Sequence, residues 1–551
     1  MVLFLGPILA GLLGTLLPAF GYLPALGGEH LSLQPWRALL AEPGLLKAVT
    51  ISLTVGLGAT LIACLVAIGT VAAFHDRPVF RAMRRLLAPA LAVPHAAFAI
   101  GLAFLLAPSG WLARLVSPWA TGWDLPPDLM TVNDPAGLAL MAALALKESL
   151  FLILMILAAL GQVDAEKRLC IARVMGYRPL TAWIKVVLPA IYPQIRLPVY
   201  VVLAYTLSVV DMAIILGPTA PPPLAVLLLD WFRDFNIERQ FMAAAGALLQ
   251  MLLAFAAIGV WALAARGIAC AARPWLVSGG RGGPVSERSL RGLGTAASGG
   301  VALSMLLAVT VLALWALAGA WRWPDALPKS FSLDTVIRAL PILGQPLRDT
   351  VLIGLASTAA AMLLVIGCLE HEVRRNRSPN RWGMLLIYLP LLLPQIGFMF
   401  GVQMLWIRFG LDGGRLAVAW THLLFVLPLV YLTLAEPYRA LDPRIARTAH
   451  SLGASALRVV AAVKLPLLMR PVLTALAIGF AVSVAQYLPT LFAGGGRVPT
   501  LTTEAVGLAS GADRRLLGVV ALMQAVLPLL AFGLALAVPA FLARNRKGLA
   551  A

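Results

Sequence analysis

The chain has 551 residues, of which 61% are apolar and 12% charged, with a net charge of +19 and a mean hydropathy of +0.90. Roughly a quarter of an ordinary soluble domain is charged, so this composition excludes a soluble enzyme, and its hydrophobicity excludes a disordered chain. The basic excess leaves two sources open, a nucleic-acid surface or the basic inner loops of a membrane protein.

A helix needs about 20 apolar residues to cross a bilayer core. In chain order the sequence predicts twelve such spans, at about 3–24, 48–74, 86–107, 136–160, 194–216, 241–265, 301–320, 350–369, 384–407, 416–435, 471–493 and 517–541. The first has no Lys or Arg before Arg37 and outruns the apolar stretch of a signal peptide, so it reads as a retained helix. Both termini are placed on the cytoplasmic side. The inner segments then carry 28 Lys and Arg against 8 Asp and Glu, and the outer segments 14 of each. Topology therefore accounts for the net charge, and no nucleic-acid partner is expected. Cys64, Cys170, Cys270 and Cys368 are widely spaced, without a C-x-x-C pair, so neither a disulfide framework nor a metal site is expected.

Two internal matches divide the chain. Leu91-Ala-Val-Pro94-His-Ala-Ala-Phe98-Ala-Ile-Gly101 pairs with Leu391-Leu-Leu-Pro394-Gln-Ile-Gly-Phe398-Met-Phe-Gly401 at an offset of 300, and Ala172-x3-Gly176-x11-Leu188-Pro189 pairs with Ala449-x3-Gly453-x11-Leu465-Pro466 at an offset of 277. The longer outer loop at 108–135, against 408–414, accounts for most of the difference of 23 residues. The expected fold is an all-α polytopic membrane protein of two homologous six-helix halves in the same orientation. They are 1–265 and 301–551, joined by a Gly-, Ser- and Arg-rich cytoplasmic linker at 266–300.

In each half a long inner loop, 161–196 or 436–470, joins the fourth and fifth spans. Each reads as two short helices about a glycine. In the second, Asp442 suits an N-cap and Pro443 the first helical position, Gly453 suits a left-handed stop, and Ser455 caps the next helix at Ala456. In the first, Asp164 is the expected cap, Gly176 the stop, and Pro179 opens the second helix. A solvated helix-turn-helix in so apolar a chain suggests a docking surface.

These loops resemble the E-A-A-x3-G-x9-I-x-L-P pattern of the membrane subunits of binding-protein-dependent ABC importers. The matching residues are Cys170-Ile171-Ala172-x3-Gly176-x9-Val186-x-Leu188-Pro189 and Arg447-Thr448-Ala449-x3-Gly453-x9-Val463-x-Leu465-Pro466. Cys170 and Arg447 replace the leading Glu. Two such loops in one chain are similar to the fused permeases of the ferric-iron and thiamine type. The stretch Phe480–Pro528, with Gly494-Gly-Gly-Arg497 and Thr500-Leu-Thr-Thr-Glu504, is most similar to a branch labelled thiamine permease.

The resemblance implies a type I importer permease in a bacterial inner membrane, with Ala172, Gly176, Leu188, Pro189, Ala449, Gly453, Leu465 and Pro466 in its ATPase-coupling loops. It further implies two copies of a cytosolic ATPase that bind ATP and Mg, and a periplasmic or extracellular substrate-binding protein. The chain has no G-x4-G-K-[ST] phosphate loop, so nucleotide belongs to the partner, and no cofactor or catalytic residue is expected here. Thiamine or a related organic cation is the first expected substrate, and ferric iron the next.

Within the membrane a carboxylate is expensive and usually has a partner or a role. Asp211, in the fifth span, reads either as a cation or polar-substrate contact along the path, or as the structural partner of Lys147 or a residue near the outer end that water reaches. Aligning Ser208 with Ser483 sets Asp211 opposite Gln486, so Ser208, Asp211, Ser483, Gln486, Tyr487 and Thr490 are the candidate path residues. Lys147 and Glu148 point about 100° apart on their helix and are expected to pair elsewhere. Pro94 and Pro394, followed by His95 and Gln395, are expected to break the third and ninth spans. A rival reading is an ion-gradient-driven transporter using Asp211, Glu148 and Lys147.

Overall fold

The computed structural model describes residues 2–75, 77, 87, 89–375, 381–511 and 513–542. The fold is all-helical. Among the described residues nine helices are long and apolar enough to cross a membrane. Two bent pairs, Trp382–Leu392 with Ile396–Arg408 and Ala456–Leu467 with Met469–Val484, raise that to eleven. A shorter apolar helix, Leu3–Ala19, stands where the first span is expected. Leu252, Phe255, Val260 and Leu263 of the Ile237–Val277 helix are exposed, as a lipid-facing surface requires.

Several expected boundaries are corrected. The helix expected over 194–216 runs over Leu188–Ser208, breaks at 209–210 and restarts as Asp211–Leu216. The one expected over 471–493 runs over Met469–Val484, breaks at 485–487 and restarts as Leu488–Gly494. Pro489 falls in the first turn of the new helix, where its missing N–H costs nothing. The 266–300 linker is itself largely helical. Helices Ile237–Val277 and Pro284–Leu317 occupy it except for 278–283. Pro94 and Pro394 both lie at helix breaks, followed by His95–Leu106 and by Ile396–Arg408, and the second pair is bent by 90°. Arg81, Arg84, Arg85 and the basic residues after Leu542 lie outside the described residues.

The first helix of each half packs against the third-span helix of the other. Gly101 lies against the Ala308 backbone, and Gly401 lies against Gly11, with Gly14 also facing Gly401. A Cβ at any of these would collide with backbone, and small residues are what let membrane helices approach so closely. This explains the last glycine of the repeated motif: in each half it receives a helix of the other. Arg114, on the short helix Trp111–Val116, adds a second fastening. It is buried over the rings of Trp315, Trp321 and Trp323, and its Nη1 donates to the Arg322 carbonyl at 2.9 Å.

Candidate functional site

The two elbows have the same backbone. Helix Ala165–Val174 ends at Gly176 with φ +83°, and helix Pro443–Ser451 ends at Gly453 with φ +82°. The Tyr177 N–H donates to the Ala172 carbonyl at 3.0 Å, and the Ala454 N–H to the Ala449 carbonyl at 3.1 Å. These six-to-one bonds close a left-handed helix stop that favours glycine. Short helices Pro179–Ala182 and Ala456–Val459 follow, and then a five-residue π turn in each, Trp183–Val187 and Val460–Lys464. There the Leu188 N–H reaches the Trp183 carbonyl, and the Leu465 N–H the Val460 carbonyl. Pro189 and Pro466 have no N–H to give, and their rings crowd the carbonyl four residues back. The wider turn relieves that, which gives the Leu-Pro pair its structural meaning.

Asp442 caps its helix as expected, accepting from the Arg444 N–H at 2.8 Å, and Ser455 accepts from Arg458 at 3.4 Å. Asp164 does not cap. Its own backbone is left-handed, so its side chain makes no cap bond and lies 3.7 Å from Lys167 instead. Met175 and Leu452, each just before its glycine, are exposed, so both elbows offer an apolar tip to a partner.

The breaks in the fifth span of each half are the other shared feature. A broken helix in a membrane must satisfy its freed carbonyls internally. Gln250 Nε2 donates to the Leu207 carbonyl at 2.9 Å, and Thr502 Oγ1 to the Val484 carbonyl, Gln524 Nε2 holding Thr502 at 2.6 Å. Beyond each break, the hydroxyl of Ser52 accepts from the Leu224 N–H at 2.8 Å, and that of Thr350 accepts from the Leu501 N–H at 2.9 Å.

The candidate path residues fall into three groups. Ser208 donates to the Ala204 carbonyl of its own helix. Ser483 and Thr490 belong to a staple that sequence reasoning missed: His422 Nδ1 and Nε2 bond them at 2.8 Å each, across the second break, and Ser357 reaches Ser483 at 3.2 Å. Asp211 opens the helix beyond the first break and is buried. It lies in electrostatic reach of His95 and Glu148 of its own half and of Tyr487 from the other. Gln486 is buried at the second break, and its carbonyl accepts from Thr490.

Lys147 does not pair with Asp211. Its Nζ donates to the carbonyls of Ala90, Leu91 and Val93 at 3.2, 3.3 and 2.5 Å, the helix end that Pro94 leaves open. Glu148 instead pairs with His95 at 3.1 Å, and the His95 ring lies 5.1 Å from that of Tyr205. The result is an acidic cluster where the two halves meet, with Glu148, Asp211 and Tyr487 buried and His95 and Tyr205 half-buried beside them. Among the described residues no three His, Cys, Asp or Glu side chains are arranged so as to hold a metal ion, and the four cysteines are free.

Crossed helical halves, broken central helices and two matched elbows are the build of a transporter's membrane component. Residues 353–544 match the family described as the binding-protein-dependent transport system inner membrane component. Over 524 residues the chain is 33% identical to the inner membrane ABC transporter permease protein YnjC of Escherichia coli (strain K12), covering 94% of this chain and 93% of that protein. The chain belongs to this family of ABC transporter permeases: it is a multi-pass inner membrane protein, the transporting rather than the catalytic component. Membership implies an ATPase and a substrate-binding protein as partners, and sets aside a gradient-driven carrier.

Proposed function

We propose that this chain alone forms the substrate path of its importer, as two fused halves, and that each elbow receives one copy of a cytosolic ATPase subunit, which holds ATP and Mg. An external binding protein delivers the substrate on the other side of the membrane, and both chain termini are cytoplasmic. The observation that carries this reading is the agreement of the elbows: the same left-handed glycine, the same six-to-one bond, the same π turn and an exposed apolar tip, at an offset of 277 residues. Two independent connectors have no reason to share all four. The test is site-directed cross-linking from Met175 and from Leu452. Both positions should capture the same ATPase subunit, and capture from neither would refute the docking.

We further propose a cationic substrate, thiamine or a related organic cation before ferric iron. Glu148 and Asp211 place two carboxylates beside aromatic Tyr205 and Tyr487 where the halves meet. Carboxylates attract an organic cation and ring faces stabilise it. A titration of the cognate external binding protein with thiamine and with ferric iron checks this choice.

A further inference from the structure

The elbows share a backbone but not an anchor. Each π turn carries a buried lysine, Lys185 in the first and Lys464 in the second. Lys185 donates to the Ser278 carbonyl at 2.9 Å and lies 4.7 Å from the centre of the Trp275 ring. The segment between the halves thus seats on the first elbow. The Arg178 N–H donates to the Arg281 carbonyl at 3.1 Å, and Gly282 packs against Thr181. Leu180 is consequently 3% exposed, while Leu457, its counterpart in the second elbow, is 79% exposed.

Lys464 goes elsewhere. Its Nζ meets the Glu370 carboxylate at 2.5 Å, which also accepts from Tyr438 Oη at 2.6 Å and from Arg374 Nε at 2.8 Å. Glu370 stands near the end of the Asp334–Arg374 helix, and Tyr438 near the end of Arg415–Arg439. A cavity of about 310 Å³, lined by Glu370, Arg374, Tyr438, Arg447, His450 and Lys464 among others, opens beside this junction. The second elbow therefore borders a cavity and is held by an ion pair to the Asp334–Arg374 helix, whose Glu370 is tied in turn to Tyr438 of Arg415–Arg439. Thirteen residues before Glu370 on the same helix, about 20 Å away at 1.5 Å per residue, Ser357 bonds Ser483 at the second helix break. Ser483 in turn holds His422, and His422 holds Thr490 beyond that break.

We infer that Lys464 is a positioning residue that delivers the stroke of the second elbow, through Glu370 and the Asp334–Arg374 helix, to the break beside Tyr487. Lys185 fastens the first elbow to the segment between the halves and carries no such stroke. Elbows alike in backbone thus drive unlike parts of the permease. This rests on the ATPase docking proposed above.

The experiment uses the full chain with its ATPase subunits in nanodiscs, with the four native cysteines replaced by serine. Spin labels at Met175→Cys and Leu452→Cys report the elbows. A second pair, Phe235→Cys and Ser510→Cys, reports the loops that follow the breaks. Distances are read before and after trapping with ATP, Mg and vanadate. In the unaltered chain both pairs should shift. With Lys464→Met the elbow pair should still shift and the far pair should lose more than half of its shift. Lys464→Arg should restore it, Glu370→Gln should reproduce the loss should Lys464→Met fold poorly, and Lys185→Met should leave the far pair moving.

A far pair that still moves fully in both Lys464→Met and Glu370→Gln overturns the inference alone. So does a Lys185→Met variant that loses the far shift equally. An elbow pair that never moves in the unaltered chain overturns the docking as well.

Discussion

Proline at both elbow glycines should uncouple transport without unfolding the protein. Gly176 and Gly453 sit at φ +83° and +82°, and proline is held near −65°, so each turn must reopen. In the second elbow that breaks the Gly453 N–H bond to His450 at 2.9 Å and the Ala454 N–H bond to Ala449 at 3.1 Å. At about 0.5–1.5 kcal/mol per bond the loss is about 1–3 kcal/mol per elbow and, with the matching pair of bonds at Gly176 and Tyr177, about 2–6 kcal/mol for the double variant, below most of the range of about 5–15 kcal/mol typical of a folded domain. Gly453→Ala is the graded control. A Cβ there meets nothing within 4 Å, so it carries only the left-handed strain of about 1–2 kcal/mol.

The assay is uptake per ATP hydrolysed in proteoliposomes holding the permease, its ATPase and its binding protein, with a thermal melt of each variant. The Gly176→Pro/Gly453→Pro protein should insert and melt cooperatively, hydrolyse ATP at the basal rate and transport little. Gly453→Ala should fall between it and the unaltered chain. Normal uptake per ATP in the double variant would refute the reasoning.

Three further outcomes are expected. Asp211→Asn and Glu148→Gln should each lower uptake of a cationic substrate at least tenfold while basal hydrolysis and melting temperature hold; a matching fall in melting temperature would make the cluster structural. Lys147→Met should cut the yield of folded protein, because it strips the donor from one buried carbonyl, that of Val93, at about 1–3 kcal/mol if left unpaired, and from the part-buried carbonyls of Ala90 and Leu91, and Lys147→Arg should recover part of it; full yield from Lys147→Met would show those carbonyls satisfied another way. Gly401→Leu drives a side chain into the Gly11 backbone, overpacking that costs about 1–3 kcal/mol or more. After cleavage at a protease site introduced between Gly279 and Gly280, the halves should co-purify in the parent chain and separate in this variant.

Much of this molecule is legible in its residues, because hydropathy reports length and apolarity, and repeated glycines and prolines report special backbone. The spans, both proline breaks and both elbow stops follow from those signals. The breaks at 209–210 and 485–487 do not, since Val209, Val210, Ala485 and Tyr487 keep the apolar run nearly continuous. Their causes lie on other helices, in Gln250, Thr502 and His422. His422 on an apolar helix looks like an ordinary core residue, and only the fold brings Ser483 and Thr490 to its two nitrogens. Lys147 was a candidate partner for Asp211 because both are charges in lipid. Its true partners are backbone carbonyls, which carry no sequence signal. The helices within 266–300 were hidden by Gly, Ser and Arg, residues that resemble a linker when no packing is known.

The central claim is that an external ATPase works this permease through its elbows. Proteoliposomes containing the chain and a loaded binding protein, with and without the ATPase subunits, test it most directly. Accumulation of substrate should require the ATPase and hydrolysable ATP, and should survive collapse of the proton and sodium gradients. Uptake by the chain with no ATPase present, driven by an ion gradient, would contradict it.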